Sequence, residues 1–161
     1  MTRKVLPTYR TLALFALALM VGLLAQGFVA APSRAASANQ NPLHIIVHEI
    51  NDTTVDNGAH GDSPGDLSVF ANPLYDAHNS RLVGRESGSC VRTIVGTAFE
   101  CNWTVFLDNG QISVEGPYYD HADSLLAVIG GTGAYSHARG QMLLHARNLA
   151  GTEYDYTFYL D

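Results

Sequence analysis

One run constrains this chain more than any other: residues 125–141, LLAVIGGTGAYSHARGQ. Residues 125–129 are apolar, too few for a helix, and include the Val and Ile that favour a pleated backbone. Gly130, Gly131 and Gly133 then free the backbone for a corner or for close approach of another strand. Tyr135 opens a second extended segment. A dinucleotide site does not fit, because that fingerprint wants a third glycine and a helix start. Here Ser136 holds the glycine position, and Ala138-Arg139-Gly140-Gln141 is a poor helix start. The run reads as strand, glycine corner, strand.

The rest of the chain repeats the theme. Extended segments are expected at 43–51, 67–75, 81–95, 97–107, 110–119, 125–129, 135–149 and 152–160. Asp108-Asn109-Gly110 reads as a hairpin turn, and Gly84 and Gly88 as bends in the long third strand. Residues 52–66, DTTVDNGAHGDSPGD, read as a loop whose acid spacing misses the EF-hand template. No metal or cofactor is expected. Eight strands without a convincing helix fit a sandwich or an up-and-down barrel, and closure would leave no edge strand exposed.

Alternation assigns faces. In 43–51, Leu43, Ile45, Val47, Glu49 and Asn51 share one face, and His44, Ile46, His48 and Ile50 the other. Glu49 is then either an acid at the end of an apolar face or the point where the strand emerges into solvent. In the fourth strand, Phe99, Cys101, Trp103 and Val105 share a face. A two-residue turn at Val95-Gly96 would pair Arg92 with Phe99 and Cys90 with Cys101, so a Cys90–Cys101 disulfide is expected.

Arg3, Lys4 and Arg10 precede an apolar run at 12–31 and then small residues, the order of a secretory signal, with Ala36-Ser37-Ala38 as the cleavage site. The alternative is a membrane anchor, disfavoured by Gly22 and Gly27. Residues 1–38 are thus expected to be a signal peptide and 39–161 one secreted domain. That domain keeps five arginines and no lysine against fifteen acids, a formal charge of −10. Such a chain repels nucleic acid and anionic membranes. The glycosylation sequons at Asn51 and Asn102 are expected to stay unused, with Asn51 facing inward.

GGTGAYSHARG resembles the glycine signature of dirigent proteins, as does SRLVGRESG. VHEIN, GDLSVFANPLY, VGRESGSC, SVEGPYYDHADSLLAVIGGTGAY and YTFYL resemble, in order, segments of allene oxide cyclases. The resemblance implies an eight-stranded antiparallel up-and-down barrel with an interior cavity, a homotrimer, and isomerase, cyclase or stereo-directing chemistry. It implies that Glu49 and Asn51 form a polar pair in the barrel, with Tyr118 as a third catalytic group. It places Ser68, Phe70, Asn72, Cys90 and Phe99 on the cavity wall, joined by Trp103 on the face of Phe99, and Arg139 after the glycine motif. Ile46, Ile50, Val69 and Phe106 would point outward toward neighbouring subunits.

The chain departs from both families. Its only Ser-Pro pair, Ser63-Pro64, lies far from the first strand, unlike the pair that helps cyclases hold a substrate oxygen. Ala134 stands where dirigent proteins usually carry an acid. The expected ligand is a small apolar or oxygenated molecule. A barrel that binds such a ligand without turnover is the rival reading.

Overall fold

A computed structural model describes residues 41–161. The expected leader and its cleavage site lie outside the described residues. Ten strands are present: β1 Leu43–His48, β2 Asp52–Val55, β3 Leu67–Phe70, β4 Pro73–Asp76, β5 Leu82–Ile94, β6 Ala98–Leu107, β7 Gly110–Tyr119, β8 Ser124–Gly133, β9 Gly140–Ala146 and β10 Glu153–Leu160. The described residues contain no helix.

The ten strands make eight staves. β1 and β2 are one stave interrupted at residues 49–51, and β3 and β4 are another interrupted at residues 71–72. β1 pairs with β4 and β10, β2 with β3, and both β3 and β4 with β5. From β5 to β10 each strand pairs with the next, and β5–β6 closes the ring. Every pairing is antiparallel. The described residues therefore form an all-β, closed, eight-stranded up-and-down barrel, which leaves none of their staves unpaired.

Alternation fills the interior. In β10, Tyr154, Tyr156 and Phe158 are buried, while Glu153, Asp155 and Thr157 between them are only partly covered. Ile45, Leu74, Val105, Ile112, Met142 and Phe158 close one end of the barrel with fully buried apolar side chains. At roughly 1.5–3 kcal/mol each, these contribute most of what opposes the chain's entropy there. Gly88 stands directly opposite Trp103, and a Cβ at Gly88 would collide with Trp103 Cβ and the Asn102 carbonyl. The glycine is what allows β5 and β6 to approach this closely at Trp103.

Several local expectations are corrected. Residues 52–55 are not loop but β2, since Thr53, Thr54 and Val55 suit a strand even with every side chain exposed. The glycines of residues 130–133 are not a corner. β8 continues through them because β7 is long enough to pair with Thr132 and Gly133, and Ile129 is the extra residue of a bulge. The turn falls at residues 134–139. Ile46 lies on the outer face but is only 1% exposed, flanked in register by Asp155 and Tyr75. Phe106 is partly covered, with the Arg85 guanidinium 4.2 Å from its ring centre. Ile50 and Val69 do point to solvent.

Candidate functional site

The two stave interruptions build the site. Asn72 is 1% exposed, and its Oδ1 accepts from the Ile50 and Asn51 amides at 2.9 and 3.0 Å. Its Nδ2 donates to Asp52 Oδ1 at 3.1 Å. The Asn51 side chain donates to the Ala71 carbonyl, and the Ala71 amide to the Asn51 carbonyl. These bonds stitch both breaks together and shift the strand phase. In β1 the odd residues Ile45 and Val47 face in. In β2 the even residue Asp52 pairs with Phe70 and faces the cavity. Glu49 ends the first phase and Asp52 begins the second, so two carboxyls meet at one end of the barrel.

That end encloses a cavity of about 160 Å³. Its depth is formed by Trp103, Tyr156, Cys101 and Leu144, and its mouth by Asp52, Ser68, Phe99 and Tyr118. Phe70 packs edge-on to Trp103 at 5.9 Å, and the Tyr156 ring lies 5.6 Å from Trp103. The Cys90–Cys101 disulfide forms part of the wall. Its pairing rests on the expected register, by a different route. The β5–β6 turn is one residue longer, with Ile94 opposite Ala98, and a bulge at Thr93 restores the Arg92–Phe99 and Cys90–Cys101 pairs.

Seven of the expected residues therefore line one cavity: Glu49, Ser68, Phe70, Cys90, Phe99, Trp103 and Tyr118. Three lie elsewhere. Asn51 is exposed, because the phase shift sends Asp52 inward in its place. Asn72 is buried but holds backbone amides rather than the cavity wall. Arg139 is exposed in the turn before β9, where its Nη1 donates to the Ala138 carbonyl at 2.7 Å.

Four groups emerge only from the fold: Asp52, Tyr154, Tyr156 and Glu86. Glu86 is fully buried beneath the cavity, and the Tyr156 hydroxyl donates to its Oε1 at 3.4 Å. Its Oε2 has no partner. Parity with Gly88 and Cys90 on the third strand was the available signal for Glu86. For Tyr154 and Tyr156 it was their alternation in the last strand.

Burial sets the electrostatics. It pushes the Glu49 carboxyl up to about 9, aided by its contact with the Asp52 carboxyl and by the nearby Glu86. Burial likewise raises Glu86 to about 8, against hydrogen bonds from Tyr156 and Asn72 that pull it down. Burial therefore favours the protonated form of both acids. Burial also raises Tyr118 and Tyr154, whose hydroxyls meet at 2.9 Å. The cavity thus presents proton donors inside aromatic walls, an arrangement that can hydrogen-bond a neutral oxygen or transfer a proton.

The allene oxide cyclase family model matches residues 43–161, the whole barrel. The chain belongs to the allene oxide cyclase family. Solved structures share the barrel. A pyocyanin demethylase is 25% identical, covering 74% of this chain and 99% of its own, with a TM-score of 0.65. A pterocarpan synthase dirigent protein is 18% identical, covering 78% and 99%, with a TM-score of 0.63. A Diels-Alderase from Streptomyces koyangensis is 15% identical, covering 96% and 80%, with a TM-score of 0.57. The last two share the fold alone. Within the family, the cyclase-like and dirigent-like segments of this chain lie on one barrel.

Proposed function

We propose that this member of the allene oxide cyclase family is an exported barrel that binds a small, largely apolar, oxygenated molecule and promotes its cyclisation or isomerisation. The observation that carries the reading is the placement of Glu49, a carboxyl set in the wall of an aromatic cavity where burial favours its neutral form. In this role Glu49 donates to, or protonates, a ligand oxygen. The Tyr118–Tyr154 hydroxyl pair orients that oxygen. Phe70, Phe99 and Trp103 hold the carbon skeleton folded, so that reacting carbons stay close and water stays out. Ser68 and the disulfide complete the wall. Asn51, Asn72 and Arg139 take no part; Asn72 acts only through the backbone that carries Glu49 and Asp52. Export follows from the leader at residues 1–38 and is compatible with the disulfide. The barrel is proposed to assemble as a homotrimer.

One observation favours a binding protein without turnover. Asn51, the polar partner that the family resemblance sets beside Glu49, faces solvent. Native mass spectrometry of protein purified from culture medium tests both readings. Protein starting at Asn39 with a small molecule bound is the expected result. Incubation of that molecule with fresh protein should convert it, and Glu49→Gln should stop conversion. Bound molecule recovered unchanged by both proteins supports the carrier instead. Protein that never carries or takes up a small molecule contradicts both.

A further inference from the structure

The rim of the cavity carries a charge cluster that the proposed chemistry leaves unused. Arg92 shares the inner face of β5 with Glu86, Gly88 and Cys90 and stands at its mouth end. Its side chain is only 11% exposed and is held from three sides. Nη1 donates to both Asp120 oxygens, at 2.9 and 2.7 Å, in the loop between β7 and β8. Nε lies 2.7 Å from Asp62 Oδ1, in the loop between β2 and β3. The guanidinium carbon lies 3.6 Å from the centre of the Phe99 ring, directly across the β5–β6 ladder.

Two carboxylates take up the charge of Arg92, so it has none left to offer a ligand. What it supplies is shape. A planar guanidinium can fork onto carboxylates and lie against a ring at once, which a lysine ammonium cannot. Phe99 lines the cavity and faces Tyr118 at 6.2 Å, and the Tyr118 hydroxyl meets that of Tyr154 at 2.9 Å. Contacts therefore run unbroken from Asp62 on the outside to the hydroxyl pair in the cavity wall. The loop that carries Asp62 is braced within itself. Asp66 accepts from the Asn57 and Ser63 amides at 2.8 and 2.7 Å, and Ser63 Oγ donates to the Asn57 carbonyl at 2.9 Å. Asp62 ties this braced loop to the β5–β6 turn as well, since its Oδ2 accepts from the Gly96 amide at 2.9 Å.

We propose that Arg92 is a positioning residue of the ligand site. Latched by Asp62 and Asp120, it fixes the Phe99 ring, and through that ring Tyr118, in the wall that orders a bound molecule. This rests on reading the cavity as the ligand site.

Calorimetric titration of the whole protein with 1-indanone tests it through a double-mutant cycle. Thermal unfolding first establishes that each variant is folded at the titration temperature. Arg92→Lys keeps the charge but not the flat stack, and should weaken binding at least about fivefold. In a Phe99→Leu background the same change should alter affinity less than about twofold, because the ring on which Arg92 acts is gone. Asp62→Asn, in the exposed loop, should weaken binding about two- to threefold, again only where Phe99 is present. That variant decides the matter if Arg92→Lys does not fold. Wild-type affinity in Arg92→Lys overturns the proposal and leaves the ligand site standing. Equal losses with and without Phe99 also overturn it, since Arg92 would then act by another route. A wild type that binds no 1-indanone overturns the ligand site as well.

Discussion

Replacing Glu49 with Gln should stabilise the protein in a pH-dependent way. The group's folded value lies near 9 against an ordinary 4.5. Below 4.5 folded and unfolded chains both hold the proton, and the wild type gives nothing away. As pH rises above 4.5 the unfolded chain releases its proton while the folded one keeps it, so stability falls, with the loss complete only above about 9. Each unit is worth about 1.4 kcal/mol, so the span from 4.5 to neutrality costs roughly 3 kcal/mol, or about 2 after allowing for screening at the open mouth. Gln fills the same space, stays neutral and escapes this loss. Urea unfolding should show Glu49→Gln more stable than wild type by about 2 kcal/mol at about pH 7, with Tm higher by about 5–10 °C. At about pH 4 the two should match. A difference of the same size at both pH values, or a less stable variant near neutrality, would refute the burial argument.

The disulfide should leave no reactive thiol in the unfolded, unreduced protein, and both cysteines should appear after reduction; Cys101→Ser should destabilise by about 2–3 kcal/mol in chemical unfolding. Asn72→Ala strips the Ile50 and Asn51 amides of their acceptor and should cost about 2–4 kcal/mol in thermal unfolding, far more than Arg139→Ala, which should change little. Light scattering should show a trimer, and a monomer at high concentration would end that proposal. Asn102, in mid-strand in β6, should carry no glycan, so deglycosylation should leave the mass of the peptide that contains it unchanged; the inward placement expected to protect Asn51 is not found, since Asn51 is exposed.

Most of the barrel was legible because it is written in alternation. The last strand, with Tyr154, Tyr156 and Phe158 on one face, needs only the strand period to be placed. The Cys90–Cys101 pair was legible for the same reason: a hairpin fixes its own register. What alternation misses is a change of phase. The break at residues 49–51 leaves no mark in the sequence, so Asn51 was expected beside Glu49 and Asp52 was read as loop. The break exists because a side chain more than twenty residues on, Asn72, satisfies the two freed amides, a contact that only the closed barrel brings together. Glu86 was hidden differently. A charged residue in a strand reads as solvent-facing, and only closure shows that its position is interior. Arg139 followed a glycine motif whose glycines extend a strand, which carried the arginine out onto the turn.

Trp103 is the only tryptophan in the chain and it forms the depth of the cavity, so its fluorescence reports directly on occupancy. The most direct measurement is a titration of that fluorescence with 1-indanone, a neutral bicyclic ketone, in wild type and in Ser68→Phe, which narrows the mouth. Saturable quenching in the wild type, weakened at least several-fold in Ser68→Phe, is the predicted result. Quenching that rises linearly without saturation and is the same in both proteins would contradict the claim that the barrel interior is a ligand site.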